Sequence, residues 1–385
     1  MSSPKNTQPR DFGFDEDQAM FKDSIRRFLD ENNGRSLLRK DTAGTEDPYY
    51  GKKRTGSFDQ SIWQKMVELG WTALTVPEAE GGGGMNLVTA ASLCEELGRA
   101  AIATPLTMTL HTTFVLREAN TDAANHWLGK IAEGRSGTLA IQDSVGSFDI
   151  SDTDVSAVTG ATGSTVLHGT ACFVQDAQKV DFVVIAACSE KGTGLYVVDI
   201  NSEGLVIEPD TIVDLTRDQA RIQFRNVVAE EIVVPGGARN VMERAIPALL
   251  TMVAADIAGA SEWQLQTTTE YAKLRVQFER PIGFFQAVKH PIVDMMICTD
   301  ESRSLVYNAA CAYDTTPDDA DRCARLAKSS ASDTASFCSN RSVQLHGGIG
   351  FTWEADVQIY FKRQKHNQFL YGDGAWQRQK LAELV

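Results

Sequence analysis

One stretch constrains this chain more than any other. From Ala245 to Ala260 it is apolar on nearly every helical face, with Pro247 and Asp256 inside it. A segment that is hydrophobic all round has to be surrounded. It is about four residues shorter than the roughly 20 a membrane span needs, so it reads as the central, buried helix of a bundle. Asp256, the only charge in the run, then reads as a buried carboxylate hydrogen-bonded to a facing helix, because buried charges need partners. The chain has 385 residues, enough for two to three domains at about 150 residues each. At that size a core needs no covalent staples, and 43% hydrophobic with 23% charged residues excludes a disordered chain.

The texture around this helix changes twice. Phe21, Ile25, Phe28 and Leu29 recur at helical spacing behind the acidic Asp15, Glu16 and Asp17, which predicts an N-terminal helix. A polar leader over residues 1–13 and a charged loop over 35–57 flank it. A second helix is expected near 59–69, and a third from Leu87 to Leu97, closed by Gly98. The Gly81–Gly84 run between them reads as a flexible connector by default, with a close backbone approach as the alternative. From about Thr138, short Val-, Ile- and Phe-rich runs alternate with turn residues: Thr165–Leu167, Phe182–Ala186, Leu195–Ile200, Leu205–Ile207, Arg221–Phe224 and Ile232–Val234. Runs this short predict an antiparallel sandwich or barrel, closed by Pro235-Gly236-Gly237. Long helices return after Asn240. The expected division is 1–137 helical, 138–236 β and 237–385 helical.

The net charge of −14 argues against a non-specific nucleic-acid binder, which needs a basic face, and leaves room for an anionic small molecule held by local Arg and Lys. Seven cysteines without a CxxC pair and the polar Met1–Lys5 start point to a reduced, cytoplasmic protein. No histidine spacing suggests a metal.

Two segments carry more information than composition does. One runs Leu274-Arg275-Val276-Gln277-Phe278-Glu279-Arg280-Pro281-Ile282-Gly283 and on to Gln286 and His290. The other runs Gln344-Leu345-His346-Gly347-Gly348-Ile349-Gly350-Phe351-Thr352. Both resemble signature segments of the acyl-CoA dehydrogenase family. Leu74–Glu78 with the glycines behind it, and Glu95-Glu96-Leu97-Gly98-Arg99, are similar to that family's N-terminal helical domain. The resemblance spans roughly residues 14–385. It implies a multidomain α+β fold: a helical domain, an antiparallel β-barrel and a C-terminal four-helix bundle. It also implies a homo- or hetero-tetramer, and FAD between barrel and bundle reaching into a neighbouring subunit. The implied reaction is α,β-dehydrogenation of an acyl-CoA, in which a carboxylate removes the α-proton and an electron-transfer flavoprotein takes the electrons onward.

Within that resemblance, Arg275 matches the arginine that grips FAD from the adjacent subunit, as a guanidinium can hold two phosphate oxygens at once. Read alone it is an exposed helix-end arginine. Phe278 and Gln286 match positions along the adenosine half, with helix packing as their plain alternative. Gln344, His346, Gly347 and Gly348 match a Gln-x-x-Gly-Gly loop, where missing β-carbons let backbone N–H groups approach a phosphate; a helix-ending turn is the alternative. At the flavin edge the chain departs from the usual Thr-Glu-Pro and aromatic-x-Thr/Ser. It reads Gln142-Asp143-Ser144 and Phe173-Val174-Gln175, so Gln142, Ser144, Phe173 and Gln175 are the residues available there.

The expected base is the main departure. Most members carry Tyr-Glu-Gly; this chain reads Leu370-Tyr371-Gly372-Asp373-Gly374-Ala375-Trp376. Without a gap Gly372 stands at the Glu position; with one inserted residue Asp373 does, and its alternative is a turn-forming Asp-Gly. The base position of branched-chain members falls near Leu249, which has no carboxylate; Asp256, about two turns further on, is the one carboxylate in that run, with the buried, hydrogen-bonded carboxylate as its plain reading. A general base contributes about 100- to 10,000-fold, so this matters. The Gly-Asp-x-Ala-Trp ending resembles members acting on steroid side-chain CoA thioesters, some of them α2β2 heterotetramers. Three readings stand: a dehydrogenase subunit whose paralogous partner supplies a Glu, a non-catalytic subunit completing a partner's FAD site, or an oxidase on the same fold.

Overall fold

The computed structural model describes residues 12, 14–32, 58–160 and 163–384. Apart from Phe12, the expected leader and the 35–57 loop lie outside the described residues. Helices α1 (Glu16–Asn32), α2 (Gln60–Glu68), α3 (Leu87–Ala100), α4 (Leu106–Ala119) and α5 (Asp122–Ala132) form the N-terminal part. Their starts follow local chemistry. Asp59, Asn86 and Thr121 cap α2, α3 and α5 by accepting from N–H groups in the first turn, which satisfies donors that otherwise have no partner.

Two glycine expectations are corrected here. Gly98 does not close α3, which runs on to Ala100. It lies where α3 crosses the central helix, and a β-carbon there would overlap the Asp256 carbonyl. The Gly81–Gly84 run is a folded turn, not a flexible connector. Gly82 N–H donates to the Pro77 carbonyl at 3.1 Å and Gly84 N–H to that of Val76 at 2.8 Å, and a β-carbon on Gly82 would overlap Val76.

The β region comprises β1 (Gly137–Ala140), β2 (Val155–Thr159), β3 (Thr165–Gln175), β4 (Phe182–Ser189), β5 (Gly192–Asp199), β6 (Leu205–Pro209) and β7 (Gln219–Val233). The runs at 221–224 and 232–234 fall on one long strand, β7, which ends at Val233. The order is β1-β4-β2-β3-β7-β5, and an added β4–β5 pairing closes the barrel. Pairings are antiparallel except where β1 and β2 meet β4. The continuous apolar run of β4 is explained by two cores. Phe182, Val184 and Ala186 face the helices, while Val183, Ile185 and Ala187 face the barrel interior, as strand alternation requires.

The C-terminal part holds α6 (Ala238–Leu274), α7 (Gln286–Thr315), α8 (Pro317–His346), α9 (Val357–Phe369) and α10 (Gly374–Ala382). The apolar run is the middle of the 37-residue α6 and is buried on all sides between α3, α7, α8 and α9. On the α3 crossing, Gly98 has a counterpart in Gly259, whose β-carbon would overlap the Glu95 carbonyl. The helix backbones therefore touch with no side chain between them. Beside this contact, Glu95 accepts from Lys22, Arg303 and Tyr307, and Glu96 from Arg26 and Arg99. These charges tie α1, α3 and α7 together. Among the described residues no helix is long and apolar enough to cross a membrane.

Candidate active site

A cleft of about 520 Å³ opens between the barrel and α9. Gln142, Phe173, Gln175 and Gln219 line it from the barrel, Asp214 from the approach to β7, and Lys362, Lys365 and His366 from α9. A second cavity of about 610 Å³ adjoins it, walled by Ile141, Phe148, Ile150, Met242, Ile246 and Trp376, with Arg239, Glu243, Arg325 and Lys380 also in its lining. Gly146, Phe148 and Tyr371 line both spaces. A flat ring in the first would therefore meet a group held in the second across the Tyr371 wall.

The first cleft is a hydrogen-bonded surface. Gln175 donates from Nε2 to the Phe173 carbonyl and to Gln219 Oε1, both at 3.0 Å. Its Oε1 lies 2.6 Å from His366 Nε2; a carboxamide oxygen can only accept, so that ring nitrogen carries the proton. Burial lowers the His366 pKa, which keeps the imidazole neutral. Phe173 turns outward at a left-handed φ of +56°, where the β3–β7 register shifts between Ala171 and Val174. Asp214 Oδ1 accepts from Thr216 N and Oγ1, each at 2.8 Å. Its buried Oδ2 has no hydrogen-bond partner among the described residues. An orphaned carboxylate oxygen is costly, and at a cleft wall it suits a ligand with N–H or O–H donors.

Behind the cleft lies the carboxylate anticipated in the apolar run. Asp256 accepts from Arg363 Nε at 2.9 Å and Nη2 at 2.5 Å, from Arg217 Nη2 at 2.8 Å and from Asn367 Nδ2 at 2.7 Å. Burial opposes its charge, yet Arg363 and Arg217 hold its pKa below the ordinary value. This cluster joins α6, α9 and the approach to β7, and so fixes the cleft floor. Tyr371, at a φ of +57°, is held by a contact of its hydroxyl with His111 Nδ1 at 3.1 Å.

The candidate site residues fall into separate groups. Gln142, Phe173 and Gln175 meet in the cleft. Ser144 does not: it is exposed, and its N–H donates to Asp154 at 2.9 Å. Asp373 lines neither space. Its carboxylate caps α10, accepting from Trp376 N–H at 2.9 Å, which is the turn-forming alternative. The remaining seven gather at one end of the bundle, away from the cleft lining. Tyr271 stacks on His346 at 4.4 Å, joining the ends of α6 and α8. Arg275 follows four residues after Tyr271, exposed, and Gly347 and Gly348 follow His346, also exposed. Phe278 packs in no helix. It sits with Glu279 at the tip of the hairpin Val276–Gln277/Arg280–Pro281, both at positive φ, with 86% of its surface exposed. Gln286 and Gln344 are exposed as well. His346 donates from Nδ1 to the Ser342 carbonyl at 2.8 Å, an internal helix-end bond. Sequence reasoning missed Asp214, His366 and Phe148 as lining residues, because no local motif marks them, and took Trp376 only as the end of the Gly-Asp-x-Ala-Trp motif.

The acyl-CoA dehydrogenase N-terminal domain model matches residues 15–135 and the C-terminal domain model residues 236–385. Acyl-CoA dehydrogenase IpdE2 of Mycobacterium tuberculosis is 32% identical over 352 residues, covering 90% of this chain and 91% of its own length. The chain belongs to the acyl-CoA dehydrogenase family. Acyl-CoA dehydrogenase FadE34 of the same organism is 30% identical across 89% of this chain and 44% of its own. Among solved structures, a Tcur3481–Tcur3483 steroid ACAD variant superposes with a TM-score of 0.83 at 26% identity, covering 96% of this chain and 97% of that one. Butyryl-CoA dehydrogenase from Megasphaera elsdenii gives 0.84 at 21% identity, over 94% and 97%, a likeness of fold. This acyl-CoA dehydrogenase is therefore an oxidoreductase acting on acyl-CoA, with the helical, β-barrel and helical-bundle architecture of its family.

Proposed function

We propose that this acyl-CoA dehydrogenase works in the cytoplasm as one of two unlike subunits in the FAD-dependent α,β-dehydrogenation of a bulky acyl-CoA, such as a steroid side-chain thioester. One observation carries the reading. Two spaces share the Tyr371 wall, one carrying amide and imidazole groups on largely apolar walls, the other pairing aliphatic and aromatic walls with the charged Asp149, Arg239, Glu243, Arg325 and Lys380, and the turn at that wall presents Tyr371 and Gly372 with no carboxylate. FAD fits the first cleft by hydrogen-bonding chemistry: Gln142, with one amide hydrogen on the Gly146 carbonyl, and the orphaned Asp214 Oδ2 offer an amide group and an acceptor to a flat heterocycle, with Phe173 at its edge. When bound, FAD supplies the acceptor for the β-hydride. Arg275, Gln344, Gly347 and Gly348, exposed together at the bundle end, suit a phosphate chain held in a neighbouring subunit.

The chain's own residues then divide the work. The Asp256 cluster sets the floor, the Gln175–His366 pair orients the ring, and Ile141, Ile150, Met242 and Ile246 exclude water from the acyl group. The α-proton goes to a carboxylate of the paralogous partner, and an electron-transfer flavoprotein takes the electrons. Purified alone, the chain is expected to turn over weakly, and co-purified with its partner, fully. Full turnover by the single chain, unaffected by Asp373→Ala, refutes this reading. A second reading, a non-catalytic subunit completing the partner's FAD site, draws on the exposed Arg275–Gly347 end. A colourless single chain that restores flavin binding to its partner selects it, and oxygen-dependent peroxide formation would select an oxidase instead.

A further inference from the structure

Gly372 takes a left-handed φ of +90°, and an indole lies against its α-carbon. A β-carbon at 372 would stand 2.8 Å from Trp376 Cδ2 and 3.1 Å from Cζ3, and closer still to Cε3. Trp376 also lines the second cavity, so its ring stands between position 372 and that space. The ring is held on several sides. Phe148 packs at 5.1 Å, the Arg325 guanidinium at 5.8 Å and Lys380 Nζ at 5.7 Å from its centre. The turn has no freedom to retreat either. Buried Lys328 donates from Nζ to the Gly372 and Gln368 carbonyls, each at 2.9 Å, and Gln377 Nε2 donates to the Tyr371 carbonyl at 2.7 Å.

We propose that Trp376 is the residue that closes the base position of this chain. Its indole fills the volume through which a side chain at 372 would reach the second cavity, so an acyl group there meets an aromatic wall in place of a proton acceptor. Of the carboxylates in that lining, Asp149 is paired with Arg239 at 2.8 Å and Glu243 is exposed. The inference rests on the acyl-CoA reading of the cavity. It makes the cavity a receptor for the acyl group and Trp376 its specificity residue.

Two measurements on the full chain, as purified, test this. The first is thermal unfolding of Gly372→Ala, Trp376→Gly and the double variant. Gly372→Ala is expected to lower the melting temperature by several degrees, and Trp376→Gly to cut that further drop by at least half, leaving only the cost of the left-handed backbone. An equal drop in both backgrounds overturns the proposal. The second is exchange of the α-hydrogens of 3-phenylpropanoyl-CoA with D2O, followed by NMR, which needs no flavin reduction. Wild type and Gly372→Glu are expected to match the buffer blank, and Gly372→Glu/Trp376→Gly to exceed it at least tenfold. Exchange by wild type that Glu243→Gln abolishes overturns the proposal by naming another base. A double variant that binds the thioester in calorimetry but does not exchange its α-hydrogens overturns it too. If no variant binds the thioester, the acyl-CoA reading of the cavity fails, and the thermal comparison still decides whether the indole holds that space.

Discussion

Replacing Asp256 by alanine removes one carboxylate and leaves Arg217 and Arg363 side by side in the interior. Three of the four donors to Asp256 are guanidinium nitrogens, at 2.5–2.9 Å. Charge-assisted bonds contribute about 1.5–3 kcal/mol each, and breaking a buried pair on one side costs about 3–5 kcal/mol. Asp256→Ala is therefore expected at the upper end of that range, and Asp256→Asn should lose most of it, because a carboxamide keeps the shape but not the charge. Urea unfolding followed by tryptophan fluorescence at neutral pH measures both. Adding Arg363→Met to Asp256→Ala removes the second charge, so the double variant should be more stable than the two single losses added together, by roughly 1–3 kcal/mol. The pH dependence has a definite sign. The folded pKa lies below the ordinary 3.8, so the contribution is full above that value and is lost as pH falls through the folded pKa. A loss under about 1 kcal/mol for Asp256→Ala, or strict additivity with Arg363→Met, would refute the view that this cluster anchors the cleft floor.

Three further outcomes are expected. Gly259→Ala inserts a methyl group into the Glu95 carbonyl and should cost about 3 kcal/mol or more, the upper end for overpacking, with Ala260→Gly as a control for helix propensity in the same melts. Burial lowers the His111 pKa to about 3, so the unfolded chain binds one more proton between that value and 6.5; stability should fall as pH drops through this window, and His111→Gln should flatten that slope in acid-titrated urea melts. Burial also lowers Lys328 to about 7, so the unfolded chain holds the extra proton above that pH; wild-type stability relative to Lys328→Met should rise between pH 7 and the ordinary 10.5, as read by thermal melts across alkaline buffers.

What the sequence disclosed follows the range of each interaction. The central helix and its paired Asp256 were legible because an all-apolar run admits one environment, and a carboxylate inside it needs partners whether or not it is a base. The strands were legible in position but not in length: β7 read as two runs because its middle, Arg225 to Glu231, is largely exposed. Glycines were the least legible. Gly98 resembled a helix stop and Gly82 a hinge, yet both are dictated by backbones distant in sequence or folded back on themselves, which no local pattern records. The cleft was half legible. Gln142, Phe173 and Gln175 came from a family pattern, whereas Asp214 and His366 are separated by more than a hundred residues and meet only in the fold. Asp373 was ambiguous on the page because Asp-Gly suits both a cap and a displaced base, and its oxygen is committed to the Trp376 amide.

The bare-backbone crossing at Gly98 and Gly259 bears on how the protein can move. With no side chains to slide or re-rotamerise between them, α3 and α6 have a single seating, and the first and last thirds of the chain behave as one rigid frame. Any breathing that admits a nucleotide or a thioester is thereby assigned to the β-barrel, which meets that frame through the apolar face of Phe182, Val184 and Ala186 and through polar contacts at Asp256, Arg217 and the Gln175–His366 pair. Admission and catalytic alignment then depend on the same seam, so a change that loosens one loosens the other.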